Sequence, residues 1–562
     1  MAIQEHEDAS SSRRQSSTSD PSSSAGRGEI AAGQQSGLRD DDLVSRLSPT
    51  EYSQLSRSVL WKTDLQVTLL AALLFLWSFL DRSNIGQAKL LGLATQLNLS
   101  PHDYSVALTV LYVPYIVFEL PSNLLLKRVG PARLIPALVT AWGIVATLQG
   151  IVKTRTGLYI NRFFLGLAEA GILPGIVVYF SFFYRPEEIQ LRQALNFSGA
   201  SLAGSLGALL SAAISPLHAG GLQPWSWLFI IEGIATVLFG LASFWLLPNG
   251  PEKLKGVTEL ERQVAVHRVK GGQATFAAVK GGQEEQGETA TVVGDGASPS
   301  SEKESGKPQG NADLARHLST FNRGDVLRTF VDPFVWLLGC VHFCSAVGVY
   351  SVAFFAPTIV KSLNLKNGQL TLAESLLLVT PPYALAFLVS IALALAADRY
   401  RLRGPSTAVS FLLATIGFAM AYGSNGSAGV AYAGLMLIAA GAYSGPSATL
   451  SWVSVGTASH YKRATSAALM IVLTNSGGIA STWLWNGTLR RGYLVCLIIH
   501  IAGVVFTVLT DLYVFYDRRA RKVEGSRSKV KLEEARQRYS GASEEQLREL
   551  LGDQHPDFVL EL

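Results

Sequence analysis

Charged side chains are scarce in this sequence: Asp, Glu, Lys and Arg make up 16% of 562 residues, against about 25% in soluble domains. With 48% hydrophobic residues and a mean hydropathy of +0.27, the chain falls in the polytopic membrane class. The net charge is only +5, and no basic stretch alternates with exposed aromatics, which excludes nucleic acid as the expected partner. Cysteine is nearly absent. Cys340 and Cys344 sit four apart on one predicted span and Cys496 on another, a pattern of small apolar packing residues and not of a disulfide framework or a metal or redox pair. A cleavable leader is missing as well, because the first sixty residues are polar. The first span is therefore expected to serve as its own insertion signal.

What the chain does have is long apolar runs. Residues 1–60, with Ser10-Ser11-Ser12 and Ser22-Ser23-Ser24, read as a disordered tail. Twelve apolar segments follow, at 65–86, 105–126, 134–151, 158–180, 193–213, 226–247, 333–356, 374–396, 405–423, 429–453, 464–485 and 493–516. Each is near the ~20 residues that cross a bilayer core. Lipid cannot satisfy open backbone groups, so an all-α membrane protein is expected. The domain reading is a tail (1–60), a six-helix bundle (61–247), a partly disordered cytoplasmic linker (248–330), a second six-helix bundle (331–516) and a C-terminal tail (517–562). Landmarks repeat across the halves. Gly130-Pro131 and Gly404-Pro405 lie 274 residues apart, Pro174 and Pro446 272, and Arg192 and Arg463 271. A near-constant offset indicates duplication, the plan of transporters that bind substrate between parallel repeats.

Charge gives the expected orientation. With both termini inside, the short inner loops hold ten Lys and Arg and the outer loops seven, and Arg518, Arg519, Arg521 and Lys522 follow the last span. That places both ends in the cytoplasm. The sequons at Asn98, Asn425 and Asn486 all fall in predicted outer loops, as glycosylation acceptors should.

The run Leu65 to Leu80 ends in Asp81-Arg82-Ser83-Asn84. Each charge within a bilayer costs about 2.5–3.5 kcal/mol on insertion scales, so such residues default to a functional role. In the fourth span, Arg162 and Glu169 are seven apart, on one face and ~10 Å apart along the axis. Matching depth suggests an Asp81–Arg162 pair, leaving Arg82 to grip an anion with its planar fork. Glu169, near the midplane, and Asp81 are the proton-coupling candidates. Substrate contacts are assigned to Arg82, Arg162, Asn84, Tyr112, Tyr115, Asn196, Tyr350, Tyr383 and Asn475, although each of the last six residues is of a type that more often makes an interhelical hydrogen bond than a ligand contact. The basic turns with Lys127, Arg128 and Arg133, and with Asp398 and Arg399, suit gating through helix C-termini. His342 reads as a hydrogen-bonded packing residue, Glu119 and Glu232 as structural, and Gly199, Gly204 and Gly207 as helix-packing positions. No metal ligands or cofactor site are identified.

Asp81-Arg82-Ser83-Asn84-Ile85-Gly86, Glu119-Leu-Pro-Ser-Asn123, Arg162-x6-Glu169-Ala-Gly171-x2-Pro174-Gly175 and Phe229-Ile-Ile-Glu232-Gly233 resemble the anion:cation symporter branch of the major facilitator superfamily, and within it the fungal allantoate, nicotinate and vitamin permeases. The resemblance covers about residues 60–516, and Leu551 to Phe558 is also similar to fungal members. It implies the major facilitator fold, no enzymatic activity, and import of a small organic anion with protons by a monomer in the plasma or vacuolar membrane. It further implies that Asp81, Arg82, Arg162 and Glu169 serve ion pairing, anion binding and proton coupling. The superfamily's loop between spans two and three departs here, with Lys127 where Asp is usual and Asn123 where Gly is usual. The second copy keeps Asp398-Arg399. A proton-coupled drug antiporter is the first rival, but Asn196 to Ser211 lacks the proline of that group's fifth-span motif. A nutrient sensor on a transporter scaffold is the second, since the Ser-rich head and the linker leave room for signalling partners.

Overall fold

The computed structural model describes residues 47–269 and 323–560, apart from short gaps, together with Val44. Within it the chain folds into long helices. The first half contributes Leu69–Ala88, Pro101–Val129, Pro131–Gln149, Arg155–Glu169 continued by Ile172–Ser181, Pro186–Ile214 and Pro224–Leu246. The second contributes Pro333–Lys361, Leu372–Leu377 continued by Thr380–Tyr400, Arg403–Tyr422, Ala428–Val455, His460–Leu484 and Leu489–Lys522. These are spans one to twelve. Among the described residues eleven helices are long and apolar enough to cross a membrane, and Pro101–Val129, 29 residues long, takes the remaining place. One two-stranded hairpin, Asn364–Leu365 against Gly368–Gln369, is the only β-structure described, in the loop after span seven.

The helices outrun their apolar cores because capping chemistry, not hydropathy, sets their ends. Ser100 closes a capping box with Asp103 and Pro101 fills the first turn of span two, where a missing N–H costs nothing. Thr371 and Glu374 do the same for span eight. Before span one, Pro49–Thr63 forms a helix that runs through a π-helical stretch, Asp64–Thr68, into the membrane segment. After it, Lys89–Leu93 is again π-helical, with Gly92 at φ +106°, a conformation that glycine adopts without Cβ strain.

The two halves meet along a seam formed by spans one and seven, two and eleven, five and eight, and five and ten. Close approach there depends on absent side chains. A Cβ on Gly86 would stand 2.8 Å from the Phe354 carbonyl oxygen, and one on Gly204 2.5 Å from the Tyr383 ring. The end bearing Asn98, Asn425 and Asn486 is pinned shut. Ser105 Oγ donates to the Thr482 carbonyl at 2.7 Å and to Asn486 Oδ1 at 2.6 Å, Trp483 Nε1 donates to Thr109 Oγ1 at 3.1 Å, and Ser205 Oγ donates to the Thr380 carbonyl at 3.2 Å. All three asparagines are exposed. The end that carries the chain termini is braced by charge. Lys62 pairs with Glu261 at 2.7 Å, Arg192 with Asp64 at 2.7 Å and Arg268 with Glu188 at 2.5 Å. There Lys462 bonds both Asp332 and Asp553, and Leu560 is buried against Phe334, Trp452 and Met470. The three cysteines are free thiols.

Candidate functional site

Span one carries the site because its helix continues through the polar quartet: Asp81, Arg82, Ser83 and Asn84 are all buried. Adjacent helical positions differ by about 100° in direction, so Asp81 and Arg82 face different neighbours. Arg82 turns to the seam. Its Nε lies 2.9 and 3.0 Å from the two Glu169 oxygens, and its NH1 donates to Tyr350 OH, across the seam, at 3.2 Å. Its guanidinium sits 4.5 Å from the Tyr115 ring centre, in cation–π contact. Ser78 Oγ donates to Glu169 as well. Asp81 turns into the first bundle and accepts from Trp142 Nε1 at 2.7 Å.

This corrects the expected pairing. Arg82, not Arg162, holds an ion pair, and its partner is Glu169, not Asp81. The charges of Arg162, Asp81 and Glu232 do act on one another, but no ion pair within 4.0 Å joins Arg162 to an acid among the described residues, and its Nε and NH2 have no hydrogen-bond partner. Matching depth was legible from spacing; azimuth was not. Helix packing turned Asp81 toward Trp142.

Glu169 is presented by a break in span four. The helix stops at Glu169 and resumes at Ile172. Pro174, at the third position of the new helix, has no N–H for the Ala170 carbonyl four residues earlier. The expected span over 158–180 holds as one membrane crossing, Arg155–Ser181, with this turn inside it.

Arg82, Leu108, Leu111, Tyr112, Arg162 and Phe354 line a small cavity of about 10 Å³, room for about one water. Around it aromatic rings crowd the seam. Phe79 and Phe354 stack on Tyr350 at 6.1 and 5.7 Å, and Tyr112 meets it edge-on at 5.4 Å. Of the expected contacts, Arg82, Tyr112, Tyr115, Arg162 and Tyr350 thus converge. Asn84 instead donates to Glu232 on span six, which draws Glu232 into the buried polar network beyond the bracing role expected of it. Tyr383 donates to the Val352 carbonyl at 3.3 Å and meets Tyr443 edge-on, farther along the seam. Asn196 and Asn475 are buried with Oδ1 and Nδ2, respectively, unpartnered, and no described hydrogen bond ties them to the Arg82 cluster. His342 shares a 2.6 Å hydrogen bond with Thr449 Oγ1. Arg128, Arg133 and Arg399 are exposed; the side chains of Lys127 and Asp398 lie outside the described residues. The residues that sequence reasoning passed over are Ser78, Trp142 and the seam aromatics Phe79 and Phe354, which read as plain apolar or small span positions.

The model of the Major Facilitator Superfamily matches residues 71–482. "MFS transporter prlL" of Fungal sp. (strain NRRL 50135) is 29% identical over 451 residues, covering 78% of this chain and 82% of the relative. A protein of Agrobacterium vitis with the name "Putative tartrate transporter" is 30% identical over 374 residues, covering 66% of this chain and 75% of the relative. Among solved structures, a bacterial homolog of the human lysosomal transporter Spinster, inward-facing and occupied, aligns with a TM-score of 0.56 at 13% identity, over 79% of this chain and 96% of that one; this likeness speaks for the fold alone. Helix order, a polar site at the seam and the family match converge on one assignment: the chain is a multi-pass membrane transporter, not an enzyme, and belongs to the Major Facilitator Superfamily.

Proposed function

We propose that this transporter belongs to the anion:cation symporter branch and imports a small organic anion together with protons. The observation that carries the reading is the Arg82–Glu169 pair, buried at the seam and extended by Arg82 to Tyr350 of the other half. Removing either partner of such a pair leaves an uncompensated buried charge, at about 3–5 kcal/mol. A proton on Glu169 frees Arg82, and the carboxylate of the substrate takes the vacated place. Proton and anion together restore neutrality, so the loaded carrier closes more readily than the half-loaded one. Arg162, with two unpartnered nitrogens beside the same cavity, is the second anion contact, and Tyr112, Tyr115 and Tyr350 supply walls and hydroxyls. Asn196, Tyr383 and Asn475 complete the substrate path as the halves part. The name of the Agrobacterium vitis relative supports a hydroxylated carboxylate as the first candidate.

On this reading both chain ends and residues 248–330 lie in the cytoplasm, the Asn98, Asn425 and Asn486 loops face outside, and the protein works as a monomer in the plasma membrane. Lys127, Arg128, Arg133, Asp398 and Arg399 gate the cytoplasmic end. The test is uptake of tartrate and other small carboxylates into proteoliposomes under an imposed pH gradient. Wild-type uptake should rise with an acidic exterior and that dependence should vanish in Glu169→Gln; pH-independent uptake by wild type would refute symport.

A further inference from the structure

Glu232 is buried to 1% exposure at the middle of span six, and its partners are few. Oε2 accepts from Asn84 Nδ2, and Oε1 has no partner. Span six packs on span three, span one and the π-helical turn after it, and, more lightly, span five. Asp81 and Asn84 of span one and Arg162 of span four act on Glu232; Trp142 of span three donates to Asp81, and Tyr104 of span two with the Arg82–Glu169 pair completes the surrounding polar groups. Asp81 Oδ1 is also unpartnered, as are two Arg162 nitrogens. This cluster lies inside the first bundle, behind span one, and adjoins the Arg82–Glu169 pair, since Arg162 lines the same cavity as Arg82.

Charge counting decides what such a compartment holds. Two carboxyls face one guanidinium in a region without water-exposed surface. With both acids ionised, one negative charge stays uncompensated, and burying an unpaired charge costs far more than binding a proton. We infer that Glu232 is a proton-binding group: Asp81 and Glu232 share a single proton opposite Arg162, apart from the proton assigned to Glu169. The inference rests on the buried cluster and deepens the symport reading, since it gives the carrier a second protonation site. An anion drawn to Arg162, which lines the cavity, occupies the charge that Asp81 and Glu232 face, and this couples their proton to substrate binding.

The experiment uses the proton itself as probe. Full-length protein in lipid is titrated by infrared difference spectroscopy, and the carboxylic-acid bands that appear and disappear with pH are followed. Variant-minus-wild-type spectra should isolate two titrating carboxyl components of this region. Glu169→Gln should remove one, and Glu232→Gln and Asp81→Asn should each remove the other, because a lone acid opposite Arg162 stays ionised. Asn84→Ala should move that second band without deleting it, and serves as the milder variant if Glu232→Gln folds poorly. A Glu232→Gln spectrum matching wild type, or separate bands lost in Glu232→Gln and in Asp81→Asn, would overturn the shared-proton site. Failure of the symport reading is told apart by uptake that ignores the pH gradient in wild type.

Discussion

Arg82 Nε stands 2.9 Å from Glu169 while its NH1 reaches Tyr350 at 3.2 Å, so one guanidinium ties a carboxyl of the first half to a hydroxyl of the second. A buried ion pair and a contact between the halves are thereby joined in a single side chain. Anything that breaks the pair alters both the site and the seam.

Arg82→Ala should lower anion affinity by tenfold or more and lower thermal stability, because it leaves Glu169 buried without its cation, a loss of about 3–5 kcal/mol. Arg82→Lys should recover stability better than affinity, since an ammonium cannot present the fork. Ligand-induced shifts in melting temperature, with and without tartrate, measure both.

Gly86→Ala should weaken closure at the sequon-bearing end. A Cβ there meets the Phe354 carbonyl oxygen at 2.8 Å, and backbone cannot yield as a flexible side chain does. In a Ser105→Cys background the variant should label faster with a polar maleimide than the Gly86 parent; equal labelling rates would count against the seam geometry.

Trp142→Phe keeps an aromatic ring but removes the N–H that donates to Asp81 at 2.7 Å, and leaves a small cavity at this buried position. The buried carboxylate then lacks that donor, which costs about 1–3 kcal/mol. A lower unfolding midpoint in denaturant should appear, and Asp81→Asn should blunt the effect of Trp142→Phe in a double-mutant cycle.

The terminal clasp gives a pH dependence outside the membrane. The hydrogen bond from Lys62, opposed by burial and aided by the Thr258 N–H and Ser58, pulls the Glu261 carboxyl from 4.5 down to about 2. A depressed carboxyl stabilises the fold above its unfolded value and loses that contribution as pH falls. The clasp should therefore hold at pH 4.5 and above and give way toward pH 2. Amide protection in Pro49–Thr63, taken relative to the intrinsic rate at each pH, should fall over that window in wild type and be low throughout in Glu261→Gln.

Periodic apolar length, set against the thickness of a bilayer, was enough to place every helical span to within several residues, because lipid leaves the backbone no other choice. The resemblance to a major facilitator architecture, and the presence of buried charge at Asp81, Arg82, Arg162 and Glu169, were legible for the same reason: charge in an apolar run is costly and conspicuous. Side-chain direction was not legible. Asp81 and Arg82 are neighbours in sequence, yet helix packing sends one to Trp142 and the other to Glu169. The break after Glu169 and the burial of Glu232 beside Asn84 likewise depend on how spans four and six lean against span one. The sequence by itself determined which groups enter the membrane, by length and cost; only the tertiary structure decided which charge meets which, because partners lie on separate helices whose azimuths are set by packing.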